Sequence, residues 1–120
     1  MSASTEFVIR MNSENDANRA VSIIKEVASK RVPEYPTEID RFVNGIKVNS
    51  NNVELLENYS LTCNSFCEWI PQIMMEIARW DFGTITMEAW HFSESCGYVG
   101  HFEGRVFKNG KFRMSFSQHD

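Results

Sequence analysis

Few side chains in this sequence could do chemistry, and their spacing limits what that chemistry could be. His91, Cys96 and His101 lie close together. Zinc needs three or four ligands that converge on one point. In the strand register derived below, His91 points to the helix-covered side of a sheet and His101 to the other side. His119 is expected in a frayed tail beyond the last strand. No metal site is expected. Cys63 and Cys67 are four apart and share a helix face. Metal sites favour CxxC spacing with a second pair elsewhere, and no basic residue is placed to activate either thiol. Both read as small buried hydrophobes.

Glu88 and Glu103 are a third candidate. Two opposed carboxylates about 5 Å apart repel, which raises one pKa, and that spacing suits retaining glycoside chemistry. Such sites are concave pockets, whereas these residues fall on an open sheet face with Arg105 and Arg113 to balance them. Arg105, Arg113 and Lys111 could hold a phosphate or carboxylate. Gly97, Gly100 and Gly104 are not followed by a helix and do not form a phosphate-binding loop. Gly100 and Gly104 instead make room for His91, Met87 or packed helices. No catalytic residue and no cofactor is expected.

The chain has 120 residues, 12 Lys+Arg and 16 Asp+Glu, for a formal charge of −4. That length suits a single α+β domain able to bury a core without staples. The acidic balance makes nucleic acid an unlikely partner, because phosphate neutralisation needs clustered cations. Sheet aromatics with arginines resemble the stacking platforms of RNA-binding sheets, but the first strand offers only Glu6, Val8 and Arg10 outward. The first residues lack the basic start and apolar run of a secretory signal. No stretch approaches the ~20 apolar residues that span a bilayer. The odd count of three cysteines does not suit a disulfide framework. These features predict a cytoplasmic protein with no membrane contact. Asn58-Tyr59-Ser60 matches a glycosylation acceptor, which has no meaning without secretion.

The elements that must position these groups follow from periodicity. Glu6 to Met11 alternates as a half-buried strand with Phe7, Ile9 and Met11 inward. Ser13 then caps a helix with Glu14 and Asp16 in its first turn. Ala17, Ala20, Val21, Ile24, Val27 and Ala28 form its apolar stripe, and Pro33 closes it. Residues 38–44 fit either a short helix or a strand. Ile46, Val48, Val53 and Leu55 form a hairpin around a four-residue loop, Asn49 to Asn52. A second long helix spans about Asn64 to Trp80, with Pro71 either starting it or kinking it.

Three strands close the chain: Thr84–Phe92, Tyr98–Phe107 and Lys111–Ser117. A three-residue loop, Lys108-Asn109-Gly110, pairs Val106 with Phe112, Gly104 with Met114 and Phe102 with Phe116. It requires Gly110 in the left-handed conformation. A four-residue loop, Glu94 to Gly97, pairs Ile85 with Val106, Met87 with Gly104, Ala89 with Phe102 and His91 with Gly100. In these registers Phe112, Met114 and Phe116 pack under the helices. The order of elements resembles a ferredoxin-like βαββαβ core extended by a C-terminal hairpin, with two helices on one face of an antiparallel sheet. The resemblance is architectural and carries no function.

The other face of the last three strands holds Trp90 beside His101, Glu88 beside Glu103, and Arg105 beside Arg113, with Phe92 and Phe107 exposed at either end. Like charges directly opposed cost stability, and clustered aromatics with arginine mark binding hot spots. The expectation is a non-enzymatic protein-binding module, adaptor-, inhibitor- or immunity-like. It would use this face on a protein partner or on itself as a homodimer. The alternative is a small-ligand binder or enzyme with a pocket between sheet and second helix, around His91, Cys96 and Tyr98.

Overall fold

The computed structural model describes residues 3–30, 36–55, 63–93 and 98–119. The described chain runs β1 (Ala3–Arg10), α1 (Glu14–Ser29), α2 (Pro36–Gly45), β2 (Lys47–Asn49), β3 (Asn52–Leu55), α3 (Cys63–Ala78), β4 (Ile85–Ser93), β5 (Tyr98–Val106) and β6 (Phe112–His119). The strands form one six-stranded sheet in the order β2-β3-β1-β4-β5-β6, and every neighbouring pair is antiparallel. The protein is therefore α+β, and its helices lie against one side of an antiparallel sheet.

Alternation along β1 sends Phe7 and Ile9 into the core, where both are fully buried. Ser13 caps α1 by accepting a hydrogen bond from the Asp16 N–H at 3.0 Å. The helix ends at Ser29 with Lys30 as its C-cap. Pro33, expected to close it, lies outside the described residues. The buried stripe of α1 is Ala17, Ala20, Ile23 and Ile24, with Val21, Val27 and Ala28 partly buried beside them. The ambiguous stretch 38–44 is helical and belongs to α2. Phe42 of α2 meets Phe7 edge-on, with ring centroids 6.2 Å apart.

The β2–β3 hairpin pairs Val48 with Val53 as expected, but Asn49 also pairs with Asn52. The connection is therefore the two residues Ser50 and Asn51 rather than four. Ser50 makes the tight turn at φ 59°. Asn51 exchanges main-chain and side-chain hydrogen bonds with Met11. Asn12 donates to the carbonyls of Phe82 and Thr84, so the end of β1 ties down the entry to β4.

Helix α3 runs through Pro71 rather than starting there. Phe66, Trp69, Ile70, Ile73, Met74 and Ile77 are its buried face. Two expectations on this element are corrected. Trp80 lies past the helix end and is exposed. Cys67 is exposed rather than buried, because helical spacing turns it toward the flank away from α1. The side chain of Cys63 lies outside the described residues.

The last three strands pair in the expected registers, Ile85 with Val106 through His91 with Gly100, and Val106 with Phe112 through Phe102 with Phe116. The strand expected from Thr84 to Phe92 instead runs from Ile85 to Ser93, so Thr84 lies outside the ladder. Gly110 adopts φ 83°, and its N–H donates to the Phe107 carbonyl at 2.8 Å. A side chain there would be strained. Residues 94–97 lie outside the described set.

The side of β6 that faces the helix layer departs from expectation. Phe112 is only partly buried, Met114 is 38% exposed and Phe116 is 43% exposed. Helix α1 packs on β2 and β3, and α3 on β4 and β5. Two helices about 10 Å wide do not span six strands spaced about 4.8 Å apart. The apolar alternation of β6 is real, but among the described residues the helix packing is concentrated on β2 to β5.

Gly104 sets how closely α3 approaches. A Cβ there would lie 3.2 Å from Met74 Sδ, 3.3 Å from the Phe112 ring and 3.4 Å from Met87 Cε. Gly104→Val is expected to cost about 1–3 kcal/mol by overpacking this contact. Urea unfolding should show a lower midpoint with an unchanged m-value.

Candidate functional site: the open sheet face

The face away from the helices is built by β1, β4, β5 and β6. Because β1 pairs with β4, Glu6 lies beside Trp90, Val8 beside Glu88 and Arg10 beside Thr86. Rows therefore cross the sheet. One reads Glu6, Trp90, His101, Ser117; the next reads Val8, Glu88, Glu103, Ser115; the third reads Arg10, Thr86, Arg105, Arg113. Glu6 and Arg10 were visible as outward residues of the first strand. Only the β1–β4 ladder brings them into the site.

Trp90 is the centre of an aromatic stack. Its ring lies 3.7 Å from that of His101 and 15° from parallel. Phe92 continues the stack at 6.2 Å and 9°. Trp90 is half-buried, whereas Phe92 is 38% exposed. The stack shields His101 Nε2, which is buried without a hydrogen-bond partner among the described residues. Such an atom is rare in folded proteins and calls for a partner.

The arginines are arranged around a second aromatic. Arg105 and Arg113 are directly opposed, and each guanidinium carbon lies 5.9 Å from the Phe107 ring centroid. The ring face attracts both cations and offsets part of their mutual repulsion. Between the aromatic row and this cluster lies a concavity of ≈ 570 Å³, walled by Arg10, Glu88, Glu103, Arg105, Arg113 and Ser115. Glu88 and Glu103 are opposed within it. Arg105 and Lys111 flank Phe107 at the β5–β6 turn, where Lys111 N–H donates to Asn109 Oδ1. The surface thus offers a planar aromatic platform next to paired charges of both signs.

His91 lies on the opposite side of the sheet, as its register requires. It is buried and hydrogen-bonded to Thr5, with Oγ1 and Nδ1 3.1 Å apart. Phe66 of α3 covers its ring at 5.2 Å. Cys96 lies outside the described residues, as does the side chain of Tyr98. His91 does not line the concavity on the open face, which lies on the other side of the sheet. No group of three or more His, Cys, Asp or Glu able to hold a metal occurs among the described residues, and no described helix is long and apolar enough to cross a membrane.

Burial lowers the His91 pKa from its ordinary 6.5, because desolvation penalises the imidazolium. The unfolded chain therefore binds a proton near pH 6.5 that the folded chain refuses. The stability contributed by neutral His91 is complete above that pH and falls as pH drops toward the lower folded value. The loss is at most about 1.4 kcal/mol per pH unit. His91→Gln is expected to flatten this dependence, read as the difference in urea midpoint between pH 7.5 and 5.5 for the two chains.

The architecture and this face define an α+β protein with a six-stranded antiparallel sheet, one side of which is open. No protein-family model, curated protein sequence or solved structure matches the chain.

Proposed function

We propose that this chain is a non-enzymatic binding module that engages a protein partner through the open face of β4, β5 and β6. The observation that carries the reading is the Phe92–Trp90–His101 stack beside the opposed Arg105 and Arg113. Tryptophan and arginine dominate binding energetics where a pocket excludes water. In this reading Trp90 is the anchor, held in place by its stack on His101. Arg105 and Arg113 take a carboxylate, while Glu88 and Glu103 fix its register. Phe92 and Phe107 bound the contact at either end. The strand order β2-β3-β1-β4 with α1 and α3 supports reading the scaffold as ferredoxin-like, with α2 inserted and β5–β6 added as a C-terminal hairpin. A cytoplasmic setting suits exposed Cys67.

The test uses the immobilised chain as bait beside its Trp90→Asp and Arg113→Glu variants, with lysine cross-linking of what is held. A partner lost by both variants and cross-linked to Lys108 or Lys111 of the β5–β6 turn supports the reading. A partner retained by both variants, or cross-linked to Lys25 and Lys30 of α1, defeats it.

A further inference from the structure

The two edges of the sheet are unlike. The β2 edge is three residues long and carries an exposed Lys47, which is how native sheets discourage pairing with another chain. The β6 edge is eight residues, FRMSFSQH, with no proline and no lysine. Phe107 N–H donates to the Lys111 carbonyl at the turn, and antiparallel ladders alternate. The main-chain groups of Arg113 and Ser115 therefore face β5, and those of Phe112, Met114 and Phe116 face outward. The same three residues form the apolar side of β6, where Phe112 is partly buried and Met114 and Phe116 are exposed.

We propose that β6 pairs antiparallel with β6 of a second copy of this chain across a two-fold axis at Met114, giving one continuous twelve-stranded sheet. Three observations select the second copy and this register. First, Met114 then opposes its own counterpart, and Phe112 opposes Phe116 twice, so these apolar residues meet as cross-strand pairs. Second, the outward main-chain groups supply about six hydrogen bonds. Third, the charge rows become complementary. Arg113 comes beside Ser115 of the second copy, whose own neighbours are Glu103 and then Glu88. The basic row Arg10, Thr86, Arg105, Arg113 of each copy thus runs into the acidic row of the other. Ser115 is short enough for the Arg113 guanidinium to reach across about 10 Å of sheet toward Glu103. Moving the axis to Ser115 would set Arg113 beside Ser117, followed by His101, with no carboxylate to meet. The strip of contact is narrow, so association in the micromolar range is expected.

The experiment is sedimentation equilibrium of the whole chain from micromolar to millimolar concentration, with five variants. Met114→Lys places two ammonium groups face to face on the axis and is expected to weaken dimerisation at least tenfold. Met114→Pro removes only an outward N–H, a position where an edge strand tolerates proline, and should act alike. Circular dichroism confirms that at least one of the two remains folded. Met114→Cys should form an inter-chain disulfide on mild oxidation beyond the parent's background, because directly opposed residues lie about 5.5 Å apart. Ser115→Cys should not. A wild-type monomer throughout, a dimer indifferent to both Met114→Lys and Met114→Pro, or cross-linking at Ser115 in place of Met114 each overturns the proposal. Trp90→Asp should leave the mass unchanged, so failure of the open-face reading and failure of this one are distinguishable.

Discussion

Phe66→Ala is expected to lower the unfolding free energy by about 3–5 kcal/mol, the cost of emptying a fully buried aromatic site. For a chain of this size the thermal midpoint should fall on the order of 15 °C. Phe66 joins three parts of the molecule. It lies in the first half of α3, covers His91 on β4 at 5.2 Å, and meets Phe102 on β5 at 5.3 Å. Phe102 in turn meets Phe116 on β6 at 4.6 Å. The substitution therefore loosens the end of the sheet where the helix layer stops. It also opens the apolar wall that keeps the imidazole desolvated. Water reaching His91 would relieve the cause of its lowered pKa. NMR titration should show the His91 pKa rising back toward 6.5 in the variant. A large loss of stability without that rise would mean that Phe66 is not what keeps water from the ring.

Trp90→Asp is expected to weaken partner binding a hundredfold or more while leaving the chain folded. A central tryptophan in a water-excluding contact is worth about 2–4 kcal/mol. The aspartate also brings a third carboxylate near Glu88, next to the neighbouring Glu6. In the unbound chain the loss is smaller. Trp90 is half-buried, and its stacking on His101 is worth about 1 kcal/mol. The thermal midpoint should fall only a few degrees. Isothermal titration with the captured partner reads the first effect and calorimetric melting reads the second. Binding unchanged at a preserved fold would remove Trp90 from the contact.

The registers of β4, β5 and β6 were legible because they rest on local rules. Strand side chains alternate with period two, so only one parity keeps Ile85, Met87, Ala89, Phe102 and Val106 together. Gly110 is the residue that a three-residue turn with a left-handed position requires. The opposition of Glu88 with Glu103, of Arg105 with Arg113 and of Trp90 with His101 follows from those facts alone. The Ser13 cap and the buried stripe of α1 are local in the same sense. Tertiary structure decided what depends on where distant elements land. Which strand lies beside β4 is a non-local choice, and it brings Glu6 and Arg10 into the site. The stack that buries His101 Nε2 exists only once two strands pair and two rings choose rotamers. Alternation in Phe112, Met114 and Phe116 marks one face of β6 as apolar, but it cannot say what lies over that face. That depends on how many helices the sheet carries and how far they reach, and here the second ends over β5.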